Sequence, residues 1–114
     1  MAILGWTGDT GDPDNFLNVH FNSATATEED ALNIAYYRND EVDELLEQGQ
    51  SSIENDERQE AYFRIQEIIR EDTPWVLVAY AEPPLGLQEQ VEGFRPNPTG
   101  GEPFNTVELT GGGA

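Results

Sequence analysis

Apolar positions along this chain repeat with two different periods, and together with its glycines and prolines they predict its elements. Ala2-Ile3-Leu4 is a short apolar run ending at Gly5, which predicts a buried strand over about residues 2–6 that opens into a loop. Asp12-Pro13 then supplies an N-cap and a proline at the first helical position, where the missing N–H costs nothing. The helix it starts covers about 13–21 and has Phe16, Leu17 and Phe21 on one side. Residues 22–30 are small and polar and read as a loop, with Thr27-Glu28-Glu29-Asp30 opening a further turn. Asn39 or Asp40 caps a helix over about 40–48, in which Val42, Leu45 and Leu46 fall at i, i+3 and i+4, and Gly49 reads as its end. A longer helix over about 55–71 gathers Ala61, Tyr62, Ile65, Ile68 and Ile69 on one face and charges on the other, and Pro74 stops it. The run from Trp75 to Ala81 is continuously apolar and rich in β-formers, which predicts a strand over 75–81 covered on both faces, with Trp75 and Tyr80 in its core. Pro83-Pro84 ends it. The remainder, Gly86 to Ala114, is turn-rich with short extended pieces around Val91 and Val107 and a flexible Gly-Gly-Gly-Ala end. There is no internal repeat, and the fold class is α/β.

Charge narrows the partners. Twenty-three acidic residues face five arginines, lysine is absent, and the formal net charge is -18. Phosphate binding needs clustered Lys or Arg, and Arg38, Arg58, Arg64, Arg70 and Arg95 are scattered among carboxylates, so nucleic acid is excluded as a partner. A polybasic anchor on anionic lipid is excluded on the same grounds. Acidity without lysine fits a halophilic source, because at about 1 M salt the screening length falls to roughly 3 Å and self-repulsion is largely removed. A disordered acidic chain is the alternative, and 37% hydrophobic residues, eleven aromatics and periodic segments argue against it. The 114 residues suffice for one small domain burying roughly two-thirds of its unfolded surface. Cysteine is absent, which rules out disulfides and thiolate zinc sites. No apolar span is long enough to insert in a membrane, and no secretory signal or lipid-attachment cysteine is found.

Candidate chemistry concentrates in Gly5-Trp6-Thr7-Gly8-Asp9-Thr10-Gly11-Asp12-Pro13-Asp14-Asn15-Phe16, which puts an aromatic, a carboxylate and a helix start within twelve residues. Asp9 can receive hydrogen bonds from a cationic group, and Trp6 offers a large stiff face. The plain alternative is an ordinary turn with a buried Trp and solvated carboxylates. The aspartates at 9, 12 and 14 do not make a calcium loop: counting from Asp9, positions three and five are Gly11 and Pro13, and counting from Asp12, position five is Phe16. His20, the only histidine, completes neither a two-histidine zinc site nor a catalytic triad and reads as a polar neighbour of the first helix. Adjacent carboxylates such as Glu28-Glu29 and Asp43-Glu44 face different ways and end in solvent. With no nucleophile elbow and no phosphate loop, the reading is a protein without catalytic residues, metal or cofactor, and not an enzyme.

This loop resembles the Gly-Trp-x-x-Asp-x-x-Asp-Pro-x-x-Phe signature of the extracytoplasmic solute-binding proteins of peptide and nickel ABC importers, the dipeptide- and oligopeptide-binding family. Tyr37 to Leu46 and Arg58 to Ile69 are similar to two successive helices of that family, Asp72 to Tyr80 to the strand after them, and Val91 to Pro98 to its closing segment. Order and spacing agree over about residues 3–109. The resemblance implies a carboxyl-terminal fragment of a longer chain, lying in the carboxyl-terminal lobe of a two-lobed periplasmic-binding-protein-like fold. Residues 1–92 would form part of a ligand-binding lobe, and 93–114 a closing segment and tail. It implies a monomeric protein outside the cytoplasm, periplasmic or at the cell surface, whose signal or anchor lies in the missing amino-terminal part. Its partners would be a peptide or other amine-bearing solute and the membrane permease of an importer. Carried over by position, Asp9 is the carboxylate that meets the ligand's amino terminus, and Gly5, Trp6 and Thr7 line the pocket. Two other readings stay open: an acidic structural or protein-interaction module in which the Gly-Trp loop only packs, and a small acid-base enzyme resting on generic carboxylates.

Overall fold

The computed structural model describes residues 3–29, 32–80, 82, 84–97 and 101–111. They fall into two compact units, Met1–Leu77 and Val78–Ala114. The first is helical, with α1 over Asp14–Phe21, a single 3₁₀ turn over Ser23–Thr25, α2 over Asp40–Ser51 and α3 over Asn55–Asp72.

At α1 and α2 the sequence offers a side-chain acceptor where the helix begins, whereas α3 has no side-chain cap. At α1 the Asp12 carboxylate accepts the Asp14 N–H at 3.0 Å while Pro13 already has helical angles. At α2 the Asn39 side-chain oxygen accepts the N–H groups of Glu41 and Val42 at 3.0 and 3.3 Å, satisfying two donors that no helical carbonyl can reach. Three residues separate α2 from α3, so the two pack as a helical hairpin. Thr73 adopts the left-handed conformation (φ 49°) and donates its N–H to Ile69 O, and Pro74 prevents a further turn.

The apolar stripes then meet in one core. Leu17 and Phe21 of α1, Val42 and Leu46 of α2, and Tyr62, Ile65 and Ile68 of α3 are buried, with Phe16, Tyr37, Leu45, Ile69 and Trp75 packed around them. The 22–37 connection is organised by Asn33, which is fully buried. Its amide donates to Asn22 O and Tyr37 O, and its oxygen accepts the Tyr37 N–H.

Several expectations need correction. The helix of α2 does not end at Gly49 but runs to Ser51, and Gly49 is buried inside it because the Tyr62 ring occupies the space a side chain would fill. The strands expected over 2–6 and 75–81 do not form at residues 3–6 or 75–80; Ala2 and Ala81 lie outside the described residues. Ile3 is 89% exposed and Tyr80 98%, and Val76, Leu77 and Val78 are nearly as open. A strand is stable only when a neighbour completes its ladder, and one buried on both faces needs layers above and below it. Three helices supply neither. Trp75 does join the core, half-buried, but Tyr80 does not.

The second unit holds the one ladder among the described residues, β1 (Val91–Glu92) antiparallel to β2 (Glu108–Leu109), pairing Val91 with Leu109 and Glu92 with Glu108. These are the extended pieces expected near Val91 and Val107. Gly93 has φ +76°, and a Cβ there would lie 2.0 Å from Thr106 O, so this position accepts only glycine. Among the described residues no helix is long and apolar enough to cross a membrane.

Candidate solute-binding loop

The loop between residue 5 and α1 is pinned from behind at three places. Asn15, in the first turn of α1, turns its side-chain oxygen back to accept the Asp9 N–H at 2.9 Å. Thr10 Oγ1 accepts the Asp12 N–H at 3.2 Å, and Gly11 between them takes φ +73°, a left-handed angle that a side chain would resist. Asp12 reaches α3, where its carboxylate pairs with the Arg58 guanidinium at 2.7 Å. Arg58 also donates through Nε to Gly49 O of α2 at 2.9 Å and lies over the Tyr62 ring, 5.6 Å from its centre. One side chain therefore ties the loop to both helices of the hairpin. Arg58, followed by the Asp14 N–H, holds the Asp12 carboxyl below the usual carboxylate range.

The three aspartates of the loop thus have different fates. Asp12 is bound to Arg58, and Asp14 accepts a hydrogen bond from Gln50 of α2 at 3.0 Å. Asp9 is exposed, and its carboxylate has no hydrogen bond or ion pair among the described residues. A shallow depression of about 300 Å³ between Asp12, Asp14, Gln50 and Arg58 lies at the base of the loop, and none of Gly5, Trp6, Thr7 or Asp9 lines it.

Trp6 is half-covered at 45% exposure and meets the His20 ring edge to face, with centroids 4.7 Å apart. His20, expected as a polar neighbour of the first helix, is a buried part of it: 5% exposed, with Phe16 and Trp75 at 5.0 and 4.9 Å and Nδ1 3.1 Å from Leu32 O. Gly5 and Thr7 are exposed, with open space where a Gly5 side chain would project. Trp6 and Asp9 therefore stand on one braced loop, and no described residue of the first unit encloses them. No group of three or more potential metal ligands occurs among the described residues.

Sequence reasoning missed Asn15, Arg58 and the burial of His20. Arg58 left a trace: it is a cation in the first turn of α3, where the helix dipole favours carboxylates, so its placement called for another cause. Asn15 left none.

The loop is thus braced through Asn15, Asp12 and Arg58 and presents, among the described residues, one unpaired carboxylate. No family model matches the chain. Individual proteins do. It is 32% identical over 109 residues to "Probable di/tripeptide-binding protein 5" of Pseudomonas aeruginosa, covering 96% of this chain and 20% of that protein. It is 34% identical over 110 residues to heme-binding protein A of Haemophilus influenzae, again 96% of this chain and 20% of the relative. Against the dipeptide-binding protein of Escherichia coli the identity is 26% over 108 residues, 95% of this chain and 20% of the relative. The chain belongs to the dipeptide-binding family of ABC-importer substrate-binding proteins, and it spans about one fifth of the length of the relatives it matches.

Proposed function

We propose that these residues are part of a binding protein that captures an extracellular di- or oligopeptide outside the cytoplasm and hands it to the membrane permease of an ABC importer. Asp9 pairs with the ammonium of the peptide, and Gly5, Trp6 and Thr7 line the same pocket. The observation that carries this reading is the sorting of the loop carboxylates: Asp12 and Asp14 are used internally, and Asp9 alone is left for a ligand. A cation taken into a closing cleft needs such a partner, because either charge alone would lose its hydration without compensation. The relatives' names include heme as well as peptides, and charge favours the peptide. A heme presents carboxylates of its own, and no arginine lies between residues 5 and 16 to receive them.

Binding in this reading is completed by a second wall that closes over the loop, so the full-length binding protein is the object to test. Calorimetry should show a free dipeptide bound by the wild type and held at least tenfold more weakly by Asp9→Asn, about 1.4 kcal/mol or more. An N-acetylated dipeptide should lose as much against the wild type and little further against the variant. Equal affinity of the wild type and Asp9→Asn for the free peptide would refute the amine contact.

A further inference from the structure

His20 occupies a peculiar place. Its ring lies among Trp6, Phe16 and Trp75, and it is 95% buried. Nδ1 is 3.1 Å from the carbonyl oxygen of Leu32. A carbonyl only accepts, so this bond requires the proton to sit on Nδ1. In the neutral ring Nε2 is then a bare acceptor, and it is buried without a partner. Of the rings packed on His20, Trp75 carries the complementary defect: its indole N–H is buried and has no acceptor. The two atoms are not bonded to each other, and an orphaned acceptor and an orphaned donor on neighbouring rings, each costly to leave unpaired, are relieved together by a single bridging water.

We infer that His20 is the positioning residue of the loop: held as the Nδ1–H tautomer by Leu32 O and accepting at Nε2 through a bridging water from the Trp75 indole, it fixes the ring against which Trp6 rests. The chain of contacts runs from the segment after α3, through α1, to the residue three places before Asp9. The inference that this sets ligand affinity rests on the proposed function; the tautomer and the Trp75 bond do not.

The test begins with the wild-type chain and no ligand. Long-range proton–nitrogen correlation spectra of the neutral imidazole should show Nδ1 protonated and Nε2 bare, and the Trp75 indole proton, assigned with Trp6→Phe, should exchange slowly. An Nε2-protonated ring, or a Trp75 indole proton exchanging as fast as that of an exposed indole, would overturn the assignment. His20→Phe keeps an aromatic ring and removes both nitrogens. It should speed Trp75 indole exchange, and His20→Gln, whose amide oxygen reaches near the Nε2 position, should restore protection in part; equal exchange in wild type and His20→Phe would overturn the bond. In the full-length protein, His20→Phe should weaken dipeptide binding up to about tenfold, the equivalent of one net hydrogen bond. Unchanged affinity with the tautomer as assigned would overturn the positioning role. Absence of dipeptide binding by the wild type would instead refute the proposed function and leave the ring nitrogens and indole exchange to decide the tautomer.

Discussion

Gly49 tests whether close helix contact or helix propensity governs the last turn of α2, where it meets α3. A Cβ at this position would lie 2.7 Å from Tyr62 Cζ and 2.9 Å from both Cε1 and the hydroxyl oxygen. Carbon atoms in good contact are about 3.5–4.0 Å apart, so the overlap approaches 1 Å. Relief would have to come from Tyr62, and that ring is 4% exposed, belongs to the core with Leu46 and Ile65, and is covered by the Arg58 guanidinium. It has little room to swing away. Forcing one extra methyl into such a core costs about 1–3 kcal/mol. Against this, alanine is better than glycine inside a helix by about 1 kcal/mol. The balance is a loss of roughly 1 kcal/mol for Gly49→Ala, where propensity alone would give a gain of that size.

Urea unfolding followed by far-ultraviolet circular dichroism reads the sign directly, provided the slope is unchanged between variants. The sharper form is a double-mutant cycle with Tyr62→Leu, which removes all three crowding atoms. In that background Gly49→Ala should stabilise by about 1 kcal/mol, giving a coupling of about 2 kcal/mol between the two sites. A Gly49→Ala variant more stable than wild type, or one with the same effect in both backgrounds, would show that Tyr62 yields freely and that the glycine is incidental.

Two further outcomes follow from caps and protonation. Asn39→Ala leaves the Glu41 and Val42 N–H groups without their acceptor and should lower stability by about 1 kcal/mol in the same urea assay, while Asn39→Gly, still a tolerated cap, should lose only a few tenths. Burial, and then its hydrogen bond to Asp72 at 2.5 Å, push the Tyr37 hydroxyl up to about 12. A phenol whose folded value is raised contributes stability that is complete below its unfolded value near 10 and is lost as pH rises toward 12. Burial also raises the Tyr62 hydroxyl, so ultraviolet titration should show Tyr37 and Tyr62 ionising above the usual range, and Tyr37→Phe should remove one late transition and flatten the loss of stability over that interval. Tyrosines that all titrate together near 10 would refute it.

How much of this could be read from residues alone depends on how local the deciding contacts are. The three helices were legible because a helix satisfies most of its backbone internally and its apolar stripe announces its buried face, as Val42 and Leu46 or Ala61, Ile65 and Ile68 do. The cap of α2 was legible as Asn39 or Asp40 for the same reason, and the structure selects Asn39. Gly49 misled because a glycine that ends a helix and one that admits a neighbouring ring look alike until Tyr62, thirteen residues on, is placed beside it. The loop shows the same limit within a single motif. Asp9, Asp12 and Asp14 are chemically identical, and only Arg58, Gln50 and Asn15, from three different helices, separate the two that hold the fold from the one left open.

The apolar run Val76–Tyr80 carries this reasoning furthest. Its composition states that it is to be buried, yet its side chains stand open, and neither described strand pairs with it. A helix carries its hydrogen-bond partners within itself, whereas a strand borrows them, so the pattern specifies the need without specifying the neighbour. The same asymmetry governs the loop, where Trp6 and Asp9 are positioned and not enclosed. On the proposed function both needs have one answer. The family members are about five times as long as the stretch they share with this chain, and the remainder of such a protein would supply both the sheet beside Val76–Tyr80 and the wall opposite Asp9. Burial of the apolar run and closure of the ligand site are then expected together, and a full-length protein in which Val76–Tyr80 stays open to solvent while a dipeptide binds at Asp9 would separate them.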